Sequence, residues 1–338
     1  MILARELPTL DHLLTMTDDV GIIQHAREGI PNRSTGYCTD DVARALIIAL
    51  ARLRQVNDAD ALRIAATYLA YLHEAQRPDG RFRNFMSYDR RWLDDLGTHD
   101  SVGRAIWSLG FGLRYAPRPA WRRLCAEMLD RALAAIPWLE YPRAQAYAAL
   151  GLVHAAEYDA TPARLEALRF LAGALAQHYT TGRAADWDWF EETMTYDNAR
   201  LPEAMLRAGT ALRDQHIAGI GASTLAFLGS VVYEDGLFVP IGNEGWYRRG
   251  GRRARFAQQP LEAWAMVDAE LAAFDATGDP AHRTRARIAG AWFSGKNSLG
   301  VVMGRDGGCY DGLDENGPNR NMGAESTLAF LGASYAVE

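Results

Sequence analysis

The stretch Asp100–Ile136, DSVGRAIWSLGFGLRYAPRPAWRRLCAEMLDRALAAI, sets two helical patterns of different character side by side. In Asp100–Leu113 apolar residues recur at helical spacing among glycines and other small residues. In Ala120–Ile136 the same period carries charges along one side. Small residues let helices pack closely, so the first pattern suits an inner layer, while a charged stripe suits an outer helix with one solvated face. The pair recurs: Asp58–Gln76 (DADALRIAATYLAYLHEAQ) reads as outer and Ala144–Ala156 (AQAYAALGLVHAA) as inner. The two kinds alternate along the chain.

Further apolar runs at helical spacing cover Val42–Leu53, Leu62–Leu72, Leu165–Ala176, Pro202–Leu212, Ile217–Val232, Leu261–Phe274, Thr284–Phe293 and Ala324–Tyr335. With a helix predicted over Pro8–His25 they make about a dozen, and strand-like alternation is scarce, so the fold class is all-α. Three loops, QRPDGRF (Gln76–Phe82), YEDGLF (Tyr233–Phe238) and GRDGGCY (Gly304–Tyr310), place Asp-Gly after an outer helix and then an aromatic residue. Asp-Gly makes a tight turn, because glycine takes positive φ without steric cost. Repetition at this scale predicts stacked or closed helix pairs. Inner helices are expected to start near Asp41, Asp100, Arg143, Pro202, Pro260 and Met322, with the N-terminal helix pairing with the last. The reading is an (α/α)6 toroid of six inner and six outer helices spanning residues 1–338 as one unit.

In that alternation the chain resembles the six-hairpin glycosidase superfamily, over nearly its whole length and in architecture more than in individual motifs. The resemblance implies that the loops leading into the inner helices gather at one end and line a funnel.

Composition narrows the function classes. The chain of 338 residues has a formal net charge of −6 and a pI near 5.8, which disfavours nucleic acid as a partner. MILARELPTLDHLL at the N-terminus has no basic leader and no long apolar core, and no uncharged apolar run approaches the roughly 20 residues of a membrane span. A cytoplasmic protein is expected, with no membrane partner. Cys38, Cys125 and Cys309 are too dispersed for a disulfide framework or a clustered zinc site, and no metal or other cofactor is expected. Composition sets no oligomeric state.

The predicted mouths are rich in chemistry. STGYCTDDVARALIIAL (Ser34–Leu50) brings Arg33, just upstream, with Tyr37 and the adjacent acids Asp40 and Asp41. GTHDS brings His99 and Asp100, and WLEYPRAQAY brings Arg143. DWDWFEETMTYDN (Asp186–Asn198) supplies Trp187, Asp188, Trp189, Glu192, Asp197 and Asn198. Glu244, Trp246 and Tyr247 precede the fifth inner helix, and Arg320, Asn321 and Glu325 surround the start of the sixth. Indole and phenol faces stack on sugar C–H surfaces, amides and guanidiniums bind hydroxyls, and carboxylates supply acid and base. Two carboxyl groups hydrolyse a glycoside when roughly 6.5–9.5 Å apart for inversion or about 5–5.5 Å for retention.

Each residue also has a structural reading. Acids in a first turn favour the helix dipole, Thr39 and Asp100 are candidate N-caps, and Trp187 and Trp189 are candidate core residues. Glu325 lies in an apolar inner helix, where it must be paired or serve as an acid or base. GAWFSGKN (Gly290–Asn297) has Asn297 where a phosphate loop needs Ser or Thr, and no strand precedes it.

TDDVARAL (Thr39–Leu46) looks like the Asp-Asp pair that some mannan-active enzymes of this shape place at an inner-helix start. The resemblance therefore implies a glycoside hydrolase acting on a small oligosaccharide, with a lean toward mannosides. Asp40 or Asp41 would work with Asp100, Glu192, Asp197 or Glu325. It also implies an alternative, a sugar epimerase or isomerase similar to N-acylglucosamine 2-epimerases, which transfer protons with inner-helix histidines; His25, His99 and His154 are the candidates here. A non-catalytic carbohydrate-binding toroid is the third reading.

Overall fold

Helices of the two characters alternate through the computed structural model, which describes residues 7–336. A short helix α1 (Asp11–Met16) comes first. Inner–outer pairs follow: α2 (Thr39–Gln55) with α3 (Ala59–Ala75), α4 (His99–Tyr115) with α5 (Pro119–Ala132), and α6 (Pro142–Tyr158) with α7 (Pro162–Gly182). Then come α8 (Arg200–Leu212) with α9 (Gln215–Val232), α10 (Pro260–Thr277) with α11 (Pro280–Gly290), and finally α12 (Ala324–Ala336). Each inner helix touches the next, α12 returns to α2, and α1 packs on α12. The ring closes as an (α/α)6 toroid.

Local chemistry sets the helix starts. Proline occupies the first turn of α5, α6, α7, α10 and α11, where its missing N–H has no partner to lose. Asp58, Thr98, Thr161, Asp214 and Asp279 cap α3, α4, α7, α9 and α11 by accepting backbone N–H groups. The Asp-Gly loops at 235–236 and 306–307 have positive φ at both residues, as a two-residue hairpin of this twist requires.

Two expectations are corrected. The helix predicted over Pro8–His25 stops at Met16, because the Asp18 carboxylate accepts the N–H groups of Val20 and Gly21 and turns the chain. The expectation of no near-membrane-length apolar run also falls: Gln215–Val232 has the length and composition to cross a membrane. In the toroid it is α9, packed on α8 with Ile217, Leu225 and Leu228 buried.

Small residues bring α4 and α6 into backbone contact. A Cβ on Gly110 would sit 1.9 Å from the Gly151 carbonyl oxygen, and one on Gly151 would sit 2.3 Å from that of Ile106. Neither contact can be relieved by a side-chain rotation. Alanine in a helix interior ordinarily gains about 1 kcal/mol over glycine, whereas overpacking costs about 1–3 kcal/mol. Gly110→Ala is therefore expected to lower Tm in a thermal melt; an unchanged or raised Tm would show that the two helices are not in contact at this level.

Candidate functional site

The N-terminal ends of the inner helices frame a cavity of about 810 Å³ to which all six mouths contribute. Asp40 comes from the first turn of α2, Asp100 from α4 and Arg143 from α6. Glu191 and Tyr196 come from the loop before α8, Trp246 from the loop before α10, and Glu325 from the first turn of α12. First-turn carboxylates are favoured by the helix dipole. Thr98 caps α4 through its hydroxyl, correcting the reading of Asp100 as the cap and leaving that carboxylate to face the cavity.

Guanidiniums on the inner helices hold these acids. Arg104 donates to Asp40 at 2.8 Å and lies 3.5 Å from Asp100, while Asn84 donates to the other Asp40 oxygen at 3.1 Å. Tyr196 donates its hydroxyl to Asp100 at 2.7 Å. Arg143 pairs with Glu191 at 2.7 Å. Arg44 bridges Asp41 at 2.9 Å and Glu325 at 2.6 Å, joining α2 to α12.

Beneath the cavity the ionic chain continues. Asp197 accepts from Tyr147 at 2.5 Å and lies 3.5 Å from Arg104 and 3.7 Å from Arg200. Arg200 in turn meets Glu203 at 2.6 Å and Asp268 at 2.7 Å. Glu262 accepts the backbone N–H groups of Asp197 and Asn198; burial, with the Asp197 charge adding to it, pushes its carboxyl up to about 8. Asp41 sits behind Asp40 rather than in the cavity lining, bonded by Arg44 and the Cys38 thiol. Burial raises its carboxyl to about 6 against the opposing pull of Arg44.

No protein-family model matches the chain, and no curated protein matches it in sequence. Solved structures do. A sugar epimerase from a ruminal bacterium matches at 12% identity over 96% of this chain and 94% of its own, with a TM-score of 0.74. A D-mannose isomerase matches at 13% identity over 96% and 94%, with a TM-score of 0.73. A GH76 alpha-mannanase from Bacteroides thetaiotaomicron matches at 10% identity over 96% and 92%, with a TM-score of 0.66. The shared element is the six-hairpin toroid.

Within this toroid the remaining predicted site residues divide sharply. His99 lines the cavity, but its ring stacks on Trp138 with centroids 3.8 Å apart and its Nδ1 accepts from the Glu140 N–H. Asp197 and Asn198 are buried below the floor, Asn198 accepting from Arg143 at 3.2 Å. Several others lie outside the lining. Glu192 is exposed and faces Arg248 and Arg249, since its neighbour Glu191 takes the inward position. Trp187 and Trp189 are core: Trp187 donates to the Glu191 carbonyl and packs on Phe227, and Trp189 packs on Phe190. Asp188 accepts from Tyr179 on the outer wall, and Tyr247 packs on Trp187. Tyr37 is buried and donates to Asp18. Arg33, Glu244 and Arg320 are exposed, Arg33 over Tyr88 and Arg320 facing Glu28. Asn321 ties the last loop to Ala26 and Asp311. Among the described residues no group of three or more His, Cys, Asp or Glu is placed to hold a metal ion.

Sequence reasoning missed Arg44, Arg104, Asn84, Tyr147 and Glu262. The arginines and Glu262 carried a readable signal, a charge inside an otherwise small and apolar inner helix, which must be partnered when buried. Asn84 carried none; it reaches Asp40 because Phe85–Met86 pairs with Tyr37–Cys38 across the loops.

Glu262 offers a test of this floor. Its folded-state value near 8 exceeds the unfolded value near 4.3, so the folded state holds the extra proton between those values and stability falls as pH rises through that window. Wild-type Tm is expected to decline from pH 5 to 9 more steeply than that of Glu262→Gln. Parallel slopes would place the titration elsewhere.

Proposed function

We propose that the chain is a sugar-processing enzyme and, more narrowly, a glycoside hydrolase acting on a short oligosaccharide, with mannosides the first substrates to try. One observation carries the reading: Asp40, Asp100, Glu191 and Glu325, from four separate mouths, face one cavity, whereas paired imidazoles do not. His154 lies away from this cavity, lining another, and His25 sits by Asn321 at the last loop. Among the histidines His99 alone lines it, stacked on Trp138 with its Nδ1 taken by the Glu140 N–H, so proton transfer in this cavity is assigned to the carboxyl groups.

The geometry suggests a division of labour. Asp40 is fixed through both oxygens by Arg104 and Asn84, which suits a nucleophile or a base that positions water. Glu325 is anchored through Oε2 alone by Arg44, leaving Oε1 to give a proton to the departing glycosidic oxygen. Asp40 then either bonds to the anomeric carbon, giving a glycosyl ester that water cleaves while Glu325 takes the water's proton, or takes a proton from the water that itself bonds to that carbon. Trp246 and Tyr196 offer aromatic faces to the sugar, and Arg143, Asn243 and Gln259 offer polar groups to its hydroxyls. Asp41, with its raised value and its share in Arg44, supports the position of Glu325 from behind.

The epimerase and isomerase among the similar structures make a second reading concrete, and one experiment separates the two. Mannosides, glucosides and free sugars are incubated in ¹⁸O-labelled water and followed by mass and NMR. Hydrolysis is expected to add one labelled oxygen per bond broken, while epimerisation would give a new sugar of unchanged constitution. Asp40→Asn and Glu325→Gln are each expected to lower kcat by about 10²–10⁴ with substrate Kd little changed. Full turnover in both variants, or an epimer without cleavage, would overturn the hydrolase reading.

A further inference from the structure

The C-terminal ends of the inner helices frame a second cavity, of about 540 Å³, that shares no lining residue with the first. Its acids are all matched: Glu157 pairs with Arg114, Glu203 with Arg200 and Arg207, Asp268 with Arg200, and Asp275 lies 3.8 Å from Arg207. Two of its four guanidiniums are not. Arg54 lies 4.0 Å over the Tyr115 ring and Arg283 lies 4.3 Å over Phe274, and neither has a carboxylate partner among the described residues.

Arg114 lies over the same Tyr115 ring at 4.6 Å, and its Nη1 is 3.4 Å from Nδ1 of His154. Two guanidiniums and an imidazole thus gather around one ring at the wall of the cavity. Burial first, then Arg207, Arg114 and Arg54, push His154 well below its usual value, and the Glu157 carboxylate that pairs with Arg114 lies 3.9 Å from its Nδ1. Helix C-termini attract cations, which lets two arginines of this mouth, Arg54 and Arg283, stand without a paired acid while Arg114 and Arg207 keep theirs. A neutral imidazole beside two guanidinium forks is a donor set for a tetrahedral anion.

We propose that this second mouth binds the phosphate group of a small molecule, with Arg54 and Arg114 as charged donors and His154 as a neutral one. The source is free phosphate or a phosphorylated sugar. The site does not depend on the hydrolase reading, because binding is measured with no substrate present and no turnover.

The full chain is titrated by calorimetry with inorganic phosphate, mannose 6-phosphate and unphosphorylated mannose at matched ionic strength. The first two are compared in wild type, Arg54→Ala and Arg283→Ala; Arg54 and Arg283 are exposed and their removal leaves the helical packing intact. Binding of at least one phosphate compound is expected, weakened about tenfold or more in Arg54→Ala. Inorganic phosphate binding as tightly as the sugar phosphate assigns the free anion, and tighter sugar phosphate binding assigns the phosphosugar. No binding by either at millimolar concentration, or equal affinity in wild type and Arg54→Ala, overturns the proposal. Loss confined to Arg283→Ala also overturns it, by placing the anion away from His154.

Discussion

The axis of this toroid is held by arginines that cannot be left alone. The side chains of Arg44, Arg104 and Arg200 are 5%, 6% and 1% exposed, and each projects from an inner helix into the space that small neighbours leave open. A buried guanidinium without a partner costs several kcal/mol, and breaking such a pair costs about 3–5 kcal/mol. Each of these arginines finds an acid supplied by another helix or mouth: Glu325 for Arg44, Asp40 and Asp197 for Arg104, Asp268 for Arg200. Ring closure and charge satisfaction are therefore one condition. The acids reach the arginines only when the six inner helices meet, and the arginines in turn occupy the axis between the two cavities.

The same constraint shapes the cavity above it. Acids at the top of the ionic chain are gripped on one side and open on the other. Arg44 holds one oxygen of Glu325, and Arg104 reaches Asp40 from below. For Glu325 this limits rotamer freedom without engaging Oε1, while Asp40 is held through both oxygens, the second by Asn84. The floor is drier, and there burial dominates: Glu262 and Asp41 both prefer the proton more strongly than a solvated carboxyl would.

Some of this was legible in the residues. Helical period, the contrast between small and charge-decorated helices and the Asp-Gly turns are local properties, set by side chains within one or two turns of each other, and they led to the toroid and to the mouths as the place to look. Charges inside inner helices were equally visible: an arginine in SVGRAIW or DDVARAL has to be partnered in any buried setting. Their partners were not visible, because those lie up to 281 residues away in the chain.

Which member of a neighbouring pair faces inward was a tertiary decision. Glu191 enters the cavity and Glu192 does not; Asp40 lines it and Asp41 backs it. Trp246 lines it while Trp187 and Trp189 fill the wall. Composition cannot separate such neighbours, since adjacent positions share chemistry and differ only in the direction the backbone gives them. That direction is set by loop pairings such as Thr193–Met194 against Tyr247–Arg248, and by which helix arrives to meet the side chain. Sequence alone determined that a ring of paired helices would form with acids and aromatics at its mouths, because periodicity and side-chain size act locally. Only the closed ring decided which of those acids share a cavity, because that depends on contacts between segments distant in the chain.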